Sequence, residues 1–238
     1  MKRRTIDLVI SAGGLLLAVI LLIGGLVLSA NANFAADYVA QQMSEQRITF
    51  TALEDLSDEE KEAACLVEYA GQPMTTGKQA ECYANEYIGL HLRTGGATAV
   101  TGDAMVGLTY AEIGAYSGGL TAQRNALNEQ IAALPADDPS VTALTEQRDT
   151  LNTQIQAASS RRETVFKGEM LRGVLLTSYG FSELGVKAGQ GALVAYIGSG
   201  LMFLLAGLGF WHGFRTGPSV PFAAVEPTSR KEREGASA

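Results

Sequence analysis

The stretch Leu8–Leu28, LVISAGGLLLAVILLIGGLVL, decides how this chain is read: 21 residues without a charge, close behind Lys2, Arg3 and Arg4. At about 1.5 Å of rise per residue it makes a helix of roughly 31 Å, close to the hydrocarbon thickness of a bilayer. A second charge-free run, Ala188–Phe214, stands between Lys187 and Arg215 and is long enough to cross with some tilt. Two crossings place both ends on one side. Lys2–Arg4 before the first run, and Arg215, Arg230, Lys231 and Arg233 after the second, make that side the cytoplasm under the positive-inside rule.

The expected plan is therefore an all-α membrane protein. Residues 1–7 form a cytoplasmic start, 8–29 the first transmembrane helix and 30–187 an extracytoplasmic helical domain. Residues 188–214 form the second span, and 215–238 a short, Pro-bearing cytoplasmic tail expected to be disordered. One competing reading stays open. Lys2–Arg4, the apolar run and Ser29-Ala30-Asn31-Ala32 also have the three parts of a secretory signal, which would start the mature chain at Asn33. The run exceeds the 7 to 15 apolar residues usual in a cleaved signal, which favours an anchor.

The segment between the spans holds 21 of the chain's 25 acidic residues but only 11 of its 18 basic ones, a local net charge of −10. Such a domain is unsuited to nucleic acid, which needs clustered Lys and Arg to neutralise phosphates. Within the spans, small residues recur at helical spacing: Gly191, Ala195 and Ser199, then Gly209 and Gly213. Such stripes let helix backbones approach closely in lipid, though bacterial spans also carry glycine without that role. Phe34, Tyr38, Tyr179, Phe181, Phe210, Trp211 and Phe214 mark the expected interfaces.

In the outer segment, Asn33–Arg47 lacks Gly and Pro and continues the first helix, and Ile48–Thr51 suits a short extended piece. Ser57 with Glu60 has capping-box spacing and starts a helix to about Tyr69. After the Gly71-Gln72-Pro73 break, Thr75 or Thr76 starts another that runs to Arg93. Residues 97–107 read as a loop, and Thr109 with Glu112 as the cap of a further helix weakened early by Gly114, Gly118 and Gly119. Leu120, Leu127, Ile131 and Leu134, then Val141, Leu144, Leu151, Ile155, Ala158 and Val165, fit heptad spacing on either side of a turn at Pro135–Ser140. The expectation is an antiparallel helical hairpin over residues 120–165. Arg124, Arg148 and Arg162 fall at its core positions, so the arm should be thin and partly solvated, or completed by another chain.

Chemistry is sparse. Cys65 and Cys82 lie in neighbouring expected helices on the oxidising side, which predicts a disulfide between them; two buried free thiols are the alternative. His91 and His212 fall on opposite sides of the membrane, so no two-His-one-carboxylate iron site forms within one chain. The acidic cluster Glu54–Glu62 lacks calcium-loop spacing, and no G-x-S-x-G, S-x-x-K or G-x-G-x-x-G element is present. Neither catalytic residues nor a cofactor are expected. The most pointed segment is Phe166–Gly173, where Glu169 and Arg172 pair at three-residue spacing, followed by Tyr179 and Phe181. It is a candidate contact for a partner membrane protein, or a juxtamembrane helix resting on lipid or on the first span.

Several pieces, among them LVEYAGQ (66–72), TGKQAE (76–81), TYAE (109–112), GEMLRG (168–173) and FWH (210–212), resemble an uncharacterised actinobacterial family of two-span membrane proteins. Some members of that family carry an automatic label of aromatic ring-opening dioxygenase, which the histidine count contradicts. The resemblance implies the two-span plan but transfers no functional residue. The function expected is that of a non-enzymatic accessory or scaffold protein, contacting the bilayer and a membrane-protein partner or a second copy. An envelope sensor or lipid-binding or small-molecule-binding module is the alternative.

Overall fold

The computed structural model describes residues 3–217, and within them the chain is helical, with only the isolated bridges Thr49–Pro73 and Thr98–Gly102 in extended pairing. The helices are α1 (Arg3–Gln46), α2 (Asp58–Lys61), α3 (Ala64–Tyr69), α4 (Gly77–Cys82), a π-helix (Tyr83–Ile88), α5 (Gly89–Thr94), α6 (Tyr110–Ala133) and α7 (Ser140–Arg215). Helices α1 and α7 are each long and apolar enough to cross a membrane, and only 11% of either apolar window is buried. A core helix of a soluble fold would be covered; these are not. The expectation for the tail beyond Gly217 lies outside the described residues.

The chain divides into two compact units, Met1–Asn33 with Gly185–Ala238, and Phe34–Leu184. In the first unit α1 and α7 run antiparallel, with Ser11 against Gly209, Ala18 against Ser199, Gly25 against Tyr196 and Leu28 against Gly191. A Cβ on Gly25 would lie 2.7 Å from the Tyr196 ring, so the glycine is what lets the tyrosine lie across α1. Polar contacts join the same face: Ser199 Oγ donates to the Ala18 carbonyl (2.8 Å), and Ser29 Oγ meets Tyr196 Oη (3.0 Å).

In the second unit, α1 ends where Arg47 takes a left-handed φ of 53°, and the chain enters the extended piece at Ile48–Thr51. Ser57–Glu60, Thr76–Gln79 and Thr109–Glu112 all form complete capping boxes, which satisfy otherwise orphaned helix-start donors. One core gathers Val39 and Met43 of α1, Phe50, Leu66, Met74, Ile88 and Leu175 of α7. A second gathers Met105, Ile113, Ala158 and Val165.

Three local expectations are corrected. The helix from Ser57 to Tyr69 is split at Glu62–Ala63, where Ala63 turns extended; α3 then buries Leu66 while Cys65 bonds Cys82. The helix from Thr76 to Arg93 widens into a π-turn in its middle. The Gly-bearing start of α6 is regular helix, because Ile113 is fully buried and Gly114 lies against the Arg162 guanidinium, which together outweigh the roughly 1 kcal/mol propensity cost of a glycine. Of the heptad positions, Leu120, Ala158 and Val165 are buried, while Leu127, Ile131, Leu134, Val141, Leu144, Leu151 and Ile155 are half-buried. Arg124 and Arg148 bond their own neighbours, Asn125 and Asp149.

Candidate functional site

The π-helix is the feature from which a site is built. A π-turn carries i→i+5 hydrogen bonds; it is rare, and it frequently marks a functional site. Here the Gly89 N–H donates to the Ala84 carbonyl, and the same oxygen also accepts from Arg172 Nε of α7 at 3.0 Å. Arg172 Nη1 meets both oxygens of Glu169 at 2.9 Å, and Nη2 reaches toward Asn85 Oδ1 at 3.5 Å. The guanidinium is therefore fixed by groups from two elements, its side chain 25% exposed. Of its own helix only Glu169 takes part.

Around this guanidinium lies a cleft of about 430 Å³ between α5, the loop into α6, the first turn of α6, and α7. Leu92, Leu108, Tyr110 and Val165 give it apolar walls, and Arg93, Glu169 and Arg172 give it charge. Gly107 adopts a φ of +69°, a left-handed conformation that costs glycine little, and it brings the loop within the cleft wall close to the Arg93 carbonyl. At Gly96, φ is +124° and a Cβ would lie 2.6 Å from the Met105 carbonyl, so only glycine closes this turn. One helical turn before Val165, Arg161 Nη2 donates to the carbonyls of Leu92 (2.8 Å) and Gly95 (2.6 Å), capping the end of α5. Burial of this guanidinium pushes its pKa down. Arg162 stacks over Tyr110, 4.0 Å from the ring centroid, on the outer rim.

Nothing in the comparisons assigns a family: no protein-family model, curated protein or solved structure matches the chain.

The residues singled out from sequence are dispersed. Cys65 and Cys82 are bonded, with a Cα–Cα separation of 6.1 Å, beside a shallow groove that also holds Lys78 and Glu81. Glu169 and Arg172 do pair, and they belong to the cleft. Tyr179 and Phe181 do not. Tyr179 Oη accepts from Lys78 Nζ at 3.0 Å, and the lysine lies 4.5 Å from the ring centroid; that hydroxyl, then Glu81, raise the lysine's pKa. Phe181 packs edge-on against Phe34 (6.4 Å) and Tyr38 (6.0 Å) of α1. Of the small residues in the second span, Gly191, Ser199, Gly209 and Gly213 all face α1, with Ala195 half-buried beside them.

A run of aromatic rings crosses the first core, from Tyr69 through Phe50, Tyr83 and Tyr87 to His91, with neighbouring centroids 4.6–5.5 Å apart. Burial, then the neighbouring Tyr87, raise the pKa of Tyr83. His91 Nδ1 lies 2.8 Å from the Tyr87 carbonyl, and its Nε2 is 3.8 Å from the buried Glu60 carboxylate, whose other oxygen accepts from Ser57 N. No three His, Cys, Asp or Glu side chains converge among the described residues. Arg93, Ala84, Asn85, Gly89 and Arg161 escaped the sequence reading. Arg172 bonds Ala84 and Asn85 across 88 and 87 residues, a distance no local spacing rule spans.

Proposed function

We propose that the chain is a two-span protein of a bacterial plasma membrane, both ends in the cytoplasm, whose extracytoplasmic helical domain serves as a non-enzymatic accessory or scaffold in a larger envelope assembly. Charge asymmetry around the apolar runs supports the sidedness, and a disulfide suits an oxidising compartment. In this reading α6 and the start of α7 act as an antiparallel hairpin that extends the domain's reach.

The observation that carries the reading is an apolar ridge on α7 within the unit Phe34–Leu184. Phe166, Met170 and Val174 recur at four-residue spacing and are 52%, 56% and 50% exposed. Contiguous exposed apolar surface of this kind marks interaction sites. A helix face read at i, i+4 and i+8 suits a second helix laid along it.

A photo-crosslinking residue in place of Met170, activated in intact cells before mild extraction, tests the proposal. A single adduct of defined mass, with a partner membrane protein or with a second copy, is expected. A clean monomer, in native lipid and after activation, overturns it. Labelling of Asp137→Cys, at an exposed position of the turn between α6 and α7, by an impermeant thiol reagent checks the sidedness; labelling only after the inner membrane is opened refutes it.

A further inference from the structure

Two guanidinium groups converge at one point of the cleft in the outer domain. Measured from where a Cβ of Gly89 would sit, Arg93 Nη1 lies at 3.0 Å and Arg172 Nε at 3.6 Å. Like charges brought this close are unfavourable unless something negative is shared. Glu169 answers Arg172, holding it with both oxygens. The Arg93 guanidinium, on an exposed residue, makes no side-chain hydrogen bond or ion pair among the described residues. The domain around it is acidic, and this guanidinium at the cleft is open to a ligand arriving from solvent.

We propose that this cleft binds a small amphipathic monoanion, a carboxylate with an apolar ring or short chain, whose head pairs with Arg93. The shape of the head follows from the donors. A guanidinium presents two parallel N–H groups that match a carboxylate's two oxygens. The first turn of α6 borders the same space, and its Tyr110 and Ala111 N–H groups lie outside the capping box, which uses Glu112 N.

The ligand's charge follows from what else is near. Glu169, which lines the cleft, is held by Arg172, and Glu112, next in the chain to the lining residue Ala111, is held by Thr109 N (2.8 Å) and Oγ1 (2.7 Å). With these carboxylates close by, a dianion such as a phosphate monoester would meet more repulsion than a single free arginine offsets. The apolar body follows from the walls, where Leu92, Leu108 and Val165 line the cleft, and about 430 Å³ lies within the range of small-molecule sites.

The test uses the full chain in zwitterionic nanodiscs, titrated by calorimetry with 4-phenylbutyrate, 4-phenylbutanol and inorganic phosphate, each corrected against empty discs. Phenylbutyrate should bind at least about tenfold tighter than either comparison probe. Arg93→Gln should weaken it by about tenfold or more, Arg93→Lys by less, and Ala111→Phe, which fills the mouth from an exposed helix position, should abolish it. Each variant's circular dichroism melt must match the parent's. Equal binding of acid and alcohol, phosphate binding as tightly as the acid, undiminished affinity in Arg93→Gln or Ala111→Phe, or no heat from the acid overturns the proposal. None of these outcomes bears on the partner-binding ridge, which the crosslinking experiment reads separately.

Discussion

Replacing both Cys65 and Cys82 by alanine removes the disulfide of the unit Phe34–Leu184, and its cost can be worked from the loop it closes. The bonded cysteines are separated by 17 residues, and the Gly71–Pro73 turn lies between them. In the chain-entropy model a loop of that length restricts the unfolded chain by about 3 kcal/mol at 25 °C. Cys82 is 5% exposed and sits in the core with Leu66 and Phe50, so trimming it to alanine adds a small packing loss in the same direction. For a unit of this size each kcal/mol shifts the melting temperature by about 2–4 °C, so the double variant should melt about 6–12 °C lower. Tyrosine near-ultraviolet circular dichroism reports this transition, because Tyr69 and Tyr83 both pack on Phe50 beside the bridge. Reduction of the parent protein should reproduce the shift, and reduction of the double variant should do nothing. A double variant that melts within about 2 °C of the parent would refute the reasoning, since the loop would then contribute no restriction.

Leu175→Ala should cost about 2–5 kcal/mol, because Leu175 is fully buried where α7 meets the first core and a cavity would remain; denaturant unfolding of the unit Phe34–Leu184 measures it. Ser199→Ala should weaken the antiparallel pair in the first unit by about 0.6 kcal/mol through loss of its bond to the Ala18 carbonyl, read as a shift in a steric-trap or detergent-unfolding midpoint. Acid should destabilise the unit Phe34–Leu184. Thr109 lowers the pKa of Glu112, Ser140 that of Asp138 and Lys167 that of Glu163. Each group's folded value lies below its unfolded one, so its contribution is complete above about pH 5 and fades as pH falls through the carboxylate range. Melts recorded between about pH 7 and pH 3 should show this loss, and Glu112→Gln should flatten part of it; a stability that rises on acidification contradicts the assignment.

How much of this was legible in the sequence depends on the range over which each interaction acts. Ser57–Glu60 and Thr109–Glu112 are set by groups three residues apart and stand where that spacing puts them, and of Thr75 and Thr76 it is Thr76 that caps, with Gln79. The apolar runs declare themselves for the same reason. The contact face in the first unit was visible in part, since Gly191, Ser199, Gly209 and Gly213 repeat at helical spacing. Its counterpart on α1 was not, because which face of Leu8–Leu28 meets them depends on the register of two helices more than 150 residues apart. The same limit explains the Gly114 region. Its propensity argues against helix, and only the distant Arg162 and the burial of Ile113 reverse the sign.

The cleft shows that limit most clearly. Glu169 and Arg172 drew attention as a pair three residues apart, and that pair exists, yet its partners come from the helix that ends at Thr94. A regular α-helix through Tyr83–Ile88 would bond the Ala84 carbonyl to the residue four on; the wider π-turn bonds it to Gly89 instead and leaves the same oxygen open to Arg172. Gly89 then matters for a second reason: without a side chain it leaves Arg93 room to lie beside Arg172. One inserted residue in a helix thus joins two arginines that sequence alone would have treated as unrelated surface charges. The cleft's charge follows from that widening, and so does its availability to an anion from outside the chain.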